Sequence, residues 1–84
     1  MEEKKILDKI LDAFDNDTFL KMDGHDNAVI GVDLKSMRLI YSVSTIIKNL
    51  MNDMSEEDAV EFYEFNIACA YIGDLTPILC EDYL

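Results

Sequence analysis

The rest of this chain has to accommodate residues 55–73, SEEDAVEFYEFNIACAYIG, which hold a helix start, an amphipathic pattern and a helix stop in unbroken order. Ser55 followed by Glu56, Glu57 and Asp58 is a capping-box-like S-x-x-D arrangement. Its hydroxyl accepts from an unpaired first-turn amide, and the three carboxylates sit at the positive end of the helix dipole. Gly73 is suited to the left-handed conformation that closes a last turn, and Thr76-Pro77 follows where a helix does not readily continue. At about 100° per residue, Glu57, Glu61 and Glu64 form one stripe, with Ala59, Phe62, Tyr63, Asn66, Cys69 and Ala70 on the opposite side. The spacing predicts a helix over 56–72 with an acidic front and an apolar back. Asn66 falls at the centre of the apolar face, and Phe65 and Tyr71 fall beside the carboxylates.

The chain has 84 residues, enough for one domain with a single small core and too few for a deep two-lobed cleft. With 18 acidic against 7 basic residues the formal charge is −11. That excess repels nucleic-acid phosphates and anionic lipid headgroups, which argues against direct binding to nucleic acid or a membrane surface. Residues 1–48 carry 9 acidic and all 7 basic residues, net −2; residues 49–84 carry 9 acidic and none, net −9. Self-repulsion that keeps a small protein in solution is the plainest reading of such a charge, and its segregation into one half weakens that reading.

Taken in order, residues 2–14 place Ile6, Leu7, Ile10, Leu11 and Phe14 at helical spacing, a first helix whose apolar stripe needs a partner. Phe19, Leu20 and Met22 form either one more helical turn or the approach to the next loop. Asp23-Gly24-His25-Asp26-Asn27 is a loop by composition. It opens onto Ala28–Val32, and Met37–Tyr41 follows; together they predict a β-hairpin over 28–41 without a two-residue turn signal to set its register. Ser42 or Ser44 caps a helix over 43–53 with Val43, Ile46, Ile47, Leu50, Met51 and Met54 on one face. The helix over 56–72 follows at once, so the two are neighbours. A short strand over 77–80 completes the chain, with Pro77 near its start or on an edge, and the tail 81–84 is expected to fray. The predicted fold is α+β: a small antiparallel sheet, hairpin plus C-terminal strand, packed against two or three helices.

The runs DGHDNAVIGV, RLIYS and IIKNLMNDMSEEDAVEFYEFNIACAYIGDLTPIL resemble a recurring family of small uncharacterised phage and prophage proteins. The shared pattern is D-G-F-D-x-A-I-I-G-V, then a strand ending Tyr-Asp, then E-E-A-x-E-F-F-E-F-N-V-x-G-A-Y-V-G-x-x-T-P. The likeness covers roughly residues 23–79 and is specific at Glu64-Phe65-Asn66, Ala70-Tyr71-Ile72-Gly73 and Thr76-Pro77. This chain has His25 where an aromatic is usual, Ser42 where Asp is usual and Cys69 where Gly is usual. The resemblance implies a phage-type origin and an α+β fold, and it implies no chemistry.

Asp23–Asp26, with His25 and the upstream Asp15 and Asp17, lacks the ligand spacing of a calcium loop and has too few nitrogen or sulfur donors for zinc, so it reads as a turn and no metal is expected. No nucleophile motif or phosphate-cradling glycine loop is present, so neither enzyme activity nor a cofactor is expected. Cys69 and Cys80 read as free buried thiols, with a disulfide as the alternative. A buried amide without partners costs roughly 1–3 kcal/mol, so Asn66 is expected to bond the backbone of loop 23–27 or 74–76 as a structural fastener, alongside Gly73 and Pro77. Phe65 and Tyr71 read either as core residues of a helix covered on more than one side or as aromatic anchors on a binding surface.

The sequence therefore points to a non-enzymatic interaction protein of phage type. Its expected binding surface is Asp53, Glu56, Glu57, Asp58, Glu61, Glu64, Phe65 and Tyr71, and its expected partner is a host protein with a basic groove, captured by DNA-mimic electrostatics of the anti-CRISPR or anti-restriction kind. The amphipathic, charged N-terminus is no secretory leader, and no segment is long and apolar enough to span a membrane, so the expected location is the host cytoplasm. The alternative is a homo-oligomeric structural or accessory phage protein, or an oligomer that sequesters a small ligand.

Overall fold

The computed structural model describes residues 5–14, 19–70 and 73–82. Within them lie α1 (Ile6–Ala13), β1 (Val29–Asp33), β2 (Arg38–Ser42), α2 (Val43–Leu50), α3 (Glu56–Phe62) and β3 (Ile78–Cys80). A 3₁₀ turn, Asp26–Ala28, leads into β1, and a π turn, Tyr63–Ile67, prolongs α3. The order of elements and the α+β class are those expected.

The sheet runs β1-β2-β3. β1 and β2 form the expected antiparallel hairpin, pairing Val32 with Leu39 and Asp33 with Arg38, with a register irregularity between Val29 and Gly31. β3 departs from expectation: it pairs in parallel with β2, Ile40 with Ile78 and Ser42 with Cys80, so the sheet is mixed. The cause is the connection. Between β2 and β3 the chain passes through α2 and α3, and such a long crossover can return the chain in the direction from which it left, which a tight turn cannot.

Alternation on the central strand builds the core. Leu39 and Tyr41 are fully buried, and they join Leu7, Ile10, Phe19, Ala28, Val29 and Ile46 in one cluster. Each such aliphatic side chain contributes roughly 1.5–3 kcal/mol of burial. α1 packs on β1 through Leu7 and Ile10, with Leu11 and Phe14 lying against the cluster. It starts at Ile6, after an extended Lys5; the expected start at residue 2 lies outside the described residues. Residues 19–22 form no helical turn; Phe19 sets its ring edge-on to Phe14 at 6.3 Å and 84°.

Side-chain bonds tie the loops to this core. Met22 donates its amide to the hydroxyl of Tyr41 at 2.8 Å. Asn27 of the loop before β1 and Asn49 of α2 exchange amide bonds of 3.1 and 2.8 Å, and Asn49 Nδ2 lies 3.1 Å from His25 Nδ1. Partial burial of this imidazole lowers its pKa below the ordinary 6.5. In the hairpin loop Asp33 accepts from the Ser36 amide at 2.9 Å and from its hydroxyl, bonds that hold its carboxyl below the usual carboxylate range, with Arg38 adding a smaller effect. Met37 there takes φ 55°, a left-handed conformation that costs a non-glycine residue about 1–2 kcal/mol.

Two further differences concern helix and chain ends. α2 stops at Leu50 and residues 51–53 form turns. Gly73 has a positive φ of 117°, as anticipated, but it lies beyond the helical residues and serves the turn into β3, where its carbonyl accepts from Thr76 N at 3.1 Å and Thr76 Oγ1 at 2.6 Å. Arg38 Nη1 reaches the Thr76 carbonyl at 3.2 Å, and Pro77 is buried immediately before β3.

Candidate functional site

α3 begins as its sequence dictates: Ser55 Oγ accepts from Asp58 N at 3.2 Å, with Glu56, Glu57 and Asp58 in the first turn. It packs chiefly on α2 and not on the sheet, so only a narrow line of it is covered. Ala59 is fully buried on that line, and Tyr63 and Ile67 continue it against the core. The π turn makes this possible. Its wider loop, closed by Ala68 N to Tyr63 O at 2.8 Å, underwinds the chain and brings Tyr63 and Ile67 into register, where an α-helix would carry Ile67 off to one side. Burial, and then Glu81 and Glu64, raise the pKa of the Tyr63 hydroxyl.

The narrow cover of α3 and, beyond Phe62, the underwinding correct several expectations. Asn66 is exposed and not buried, and its amide donates at 3.2 Å to the Phe62 carbonyl of its own helix, where a bond to loop 23–27 or 74–76 was expected. Phe62, Cys69 and Ala70, placed on the apolar back by α-helical spacing, are exposed. Cys69 is therefore a free exposed thiol and Cys80 a free half-buried one. Phe65, for which a core role was one reading, is 75% exposed.

These side chains make an open groove of about 350 Å³ lined by Met54, Asp58, Glu61, Phe62, Phe65 and Asn66. Of the expected binding residues it brings together Asp58, Glu61 and Phe65. Asp53, Glu56, Glu57 and Glu64 are also exposed but do not line it, and Tyr71 lies outside the described residues. Met54 and Phe62 were missed as surface residues. A signal existed: Asp58 precedes Phe62, and Glu61 precedes Phe65, by four positions, so each aromatic has a carboxylate one turn before it. Both the negative face of an aromatic ring and a carboxylate attract cations, and no Lys or Arg occurs after Lys48.

A second polar constellation sits at the start of α2. Ser42, fully buried, accepts from Thr45 N at 3.1 Å and donates to Asp82 Oδ2 at 2.7 Å. Ser44 adds its amide to Asp82 Oδ1 at 3.1 Å and its hydroxyl to Oδ2 at 3.0 Å. The Ser42 hydroxyl, then the Ser44 amide, hold the Asp82 carboxyl below the usual carboxylate range. Asp82 is thus anchored where a frayed tail was expected. This cluster is satisfied within itself and is structural.

Among the described residues no group of three or more His, Cys, Asp or Glu is placed to hold a metal ion, and no helix is long and apolar enough to cross a membrane. The chain matches no family model, no curated protein and no solved structure.

Proposed function

We propose that this is a non-enzymatic interaction protein whose α3 face binds a basic, normally nucleic-acid-binding site on another protein. The carrying observation is Phe65, 75% exposed beside Asp58 and Glu61, in a half-chain without a single basic residue. A large apolar side chain held in water on a helix that does not need it for packing is surface available to a partner, and the surrounding carboxylates speed encounter with a cationic one. The phage-type origin implied by the sequence resemblance directs this reading to a host factor in the cytoplasm, with defence nucleases of the CRISPR or restriction kind as the first class to test.

Capture from host lysate at low and high salt, with the native chain and with Glu57, Glu61 and Glu64 changed together to Gln, tests the proposal. The expected result is a partner retained by the native chain, weakened by salt and lost or reduced with the triple variant. Equal capture by both proteins would sink it.

A second reading, a homo-oligomer, is favoured by the same exposed Phe62 and Phe65, which another copy would cover. Light scattering separates the two: an oligomer that dissociates with Phe65→Ser supports self-association, and a monomer supports a foreign partner.

A further inference from the structure

We infer that the groove on α3 is a slot for an arginine side chain of the partner, so that the surface reads arginine and not cationic charge in general. This deepens the proposed function and rests on it.

The geometry supplies two carboxylate–aromatic pairs on adjoining turns, Asp58 with Phe62 and Glu61 with Phe65, converging on one hollow with Met54 and Asn66. Phe62 is 42% and Phe65 75% exposed, so ring surface is open at both. A guanidinium is flat: it stacks on a ring while its fork of N–H donors reaches a carboxylate beside that ring. An ammonium is a compact and strongly hydrated point charge that can use the carboxylate but gains less from the ring. At about 350 Å³ the groove lies at the lower end of the roughly 300–1,000 Å³ of ligand pockets, and it is open, which suits a side chain entering from another surface better than an enclosed small molecule.

Charge selects among occupants. A second copy docking through the same patch would set Asp58 and Glu61 against their own counterparts, a like-charge contact. Phosphate-bearing ligands meet the same repulsion. A basic segment meets complementary charge, and the carboxylates outside the groove, Asp53, Glu56, Glu57 and Glu64, guide it in.

The test is an amide NMR titration with two capped octapeptides, one alternating glycine with arginine and one alternating glycine with lysine, on the native chain and on Phe65→Leu. The expected result is that the arginine peptide binds the native chain about two- to fivefold more tightly, the range that an exposed cation–π contact supports. Shifts should centre on residues 54–66. In Phe65→Leu that preference should vanish while lysine-peptide affinity stays within about twofold. Leu keeps an apolar side chain at an exposed site, so the fold persists and an unchanged urea midpoint verifies it. Equal affinity for the two peptides, binding of neither at millimolar concentration, or a preference that survives in Phe65→Leu would each overturn the inference. If the Gln triple variant loses the lysate partner while the peptides bind alike, the slot fails and the acidic interface stands. If the native chain prefers arginine through Phe65 but capture ignores the triple variant, the interface reading fails and the slot stands.

Discussion

α2 and α3 begin with the same device and end in opposite environments. Each is capped by a serine whose Oγ accepts from the amide three residues on, Ser42 from Thr45 at 3.1 Å and Ser55 from Asp58 at 3.2 Å. Ser42 is fully buried and also bonded to Asp82, whereas Ser55 is exposed and its cap bond is local. α2 drives Ile46 into the core, and α3 with its π turn buries only Ala59 and holds Phe62, Phe65 and five carboxylates outward. One helix is part of the scaffold, and the other is displayed by it. A cap therefore locates a helix start but says nothing about which role that helix plays.

Substitution breaks this comparison most strongly in the apolar residues. Ile46→Ala should destabilise by about 2–5 kcal/mol, because it empties a fully enclosed position. Phe65→Ala, though it removes more atoms, should stay within about 0.5 kcal/mol. Urea unfolding of the two variants measures both. A large loss from Phe65→Ala would show that α3 is scaffold after all and would remove the reason for treating its outer face as a binding surface.

The caps themselves give the next largest contrast. Ser42→Ala should cost about 2 kcal/mol, since it removes both the helix cap and a bond to the charged, half-buried Asp82 carboxylate, while Ser55→Ala should cost about 0.5–1 kcal/mol, the ordinary loss of an exposed cap. Equal losses in thermal unfolding would mean that the bonds to Asp82 add nothing to the α2 cap.

Acid has a smaller effect, and it acts on the scaffold. Asp82 has a folded-state pKa below its unfolded value, so its contribution is present above the unfolded value and is lost as pH falls through the folded one. His25, whose pKa is lowered from an ordinary 6.5, binds its proton more readily in the unfolded chain, so stability also falls as pH drops below that value. Urea midpoints followed from pH 8 to pH 2 should decline in two stages. Asp82→Asn should make the lower stage shallower, leaving in it the share of Asp33, whose carboxyl is also held low, and should leave the upper stage unchanged.

Much of the scaffold could be read from neighbouring residues. The serine caps, the spacing of Leu7, Ile10, Leu11 and Phe14 and the β-branched run at Val29–Val32 depend on contacts within a few positions, and they reappear in place. The candidate surface was readable as charge: Asp58, Glu61 and Phe65 were singled out and do meet in the groove. Its other aromatic was not, because helical spacing assigns Phe62 to the back of an ideal α-helix. Phe62 keeps its α-helical position, but α3 is covered only along the line of Ala59, which leaves that ring open; the π turn at Tyr63–Ile67 changes the phase after it, turning Asn66 outward and Ile67 inward, and no residue in that run announces it. The parallel entry of β3 and the bond from Ser42 to Asp82, forty positions away, were equally hidden.

Local chemistry, then, settled where α2 and α3 start, which strands form the hairpin, and that the second half of the chain carries acidic and no basic residues. Those outcomes follow from hydrogen bonds and periodicities spanning a handful of residues, and from a count of charges. Which face of α3 meets water, which way β3 runs and what completes the buried cap of α2 were decided only when distant segments packed. Each of those depends on which core position the chain had to fill and on how a long crossover returned, and neither is a property of the residues involved taken alone.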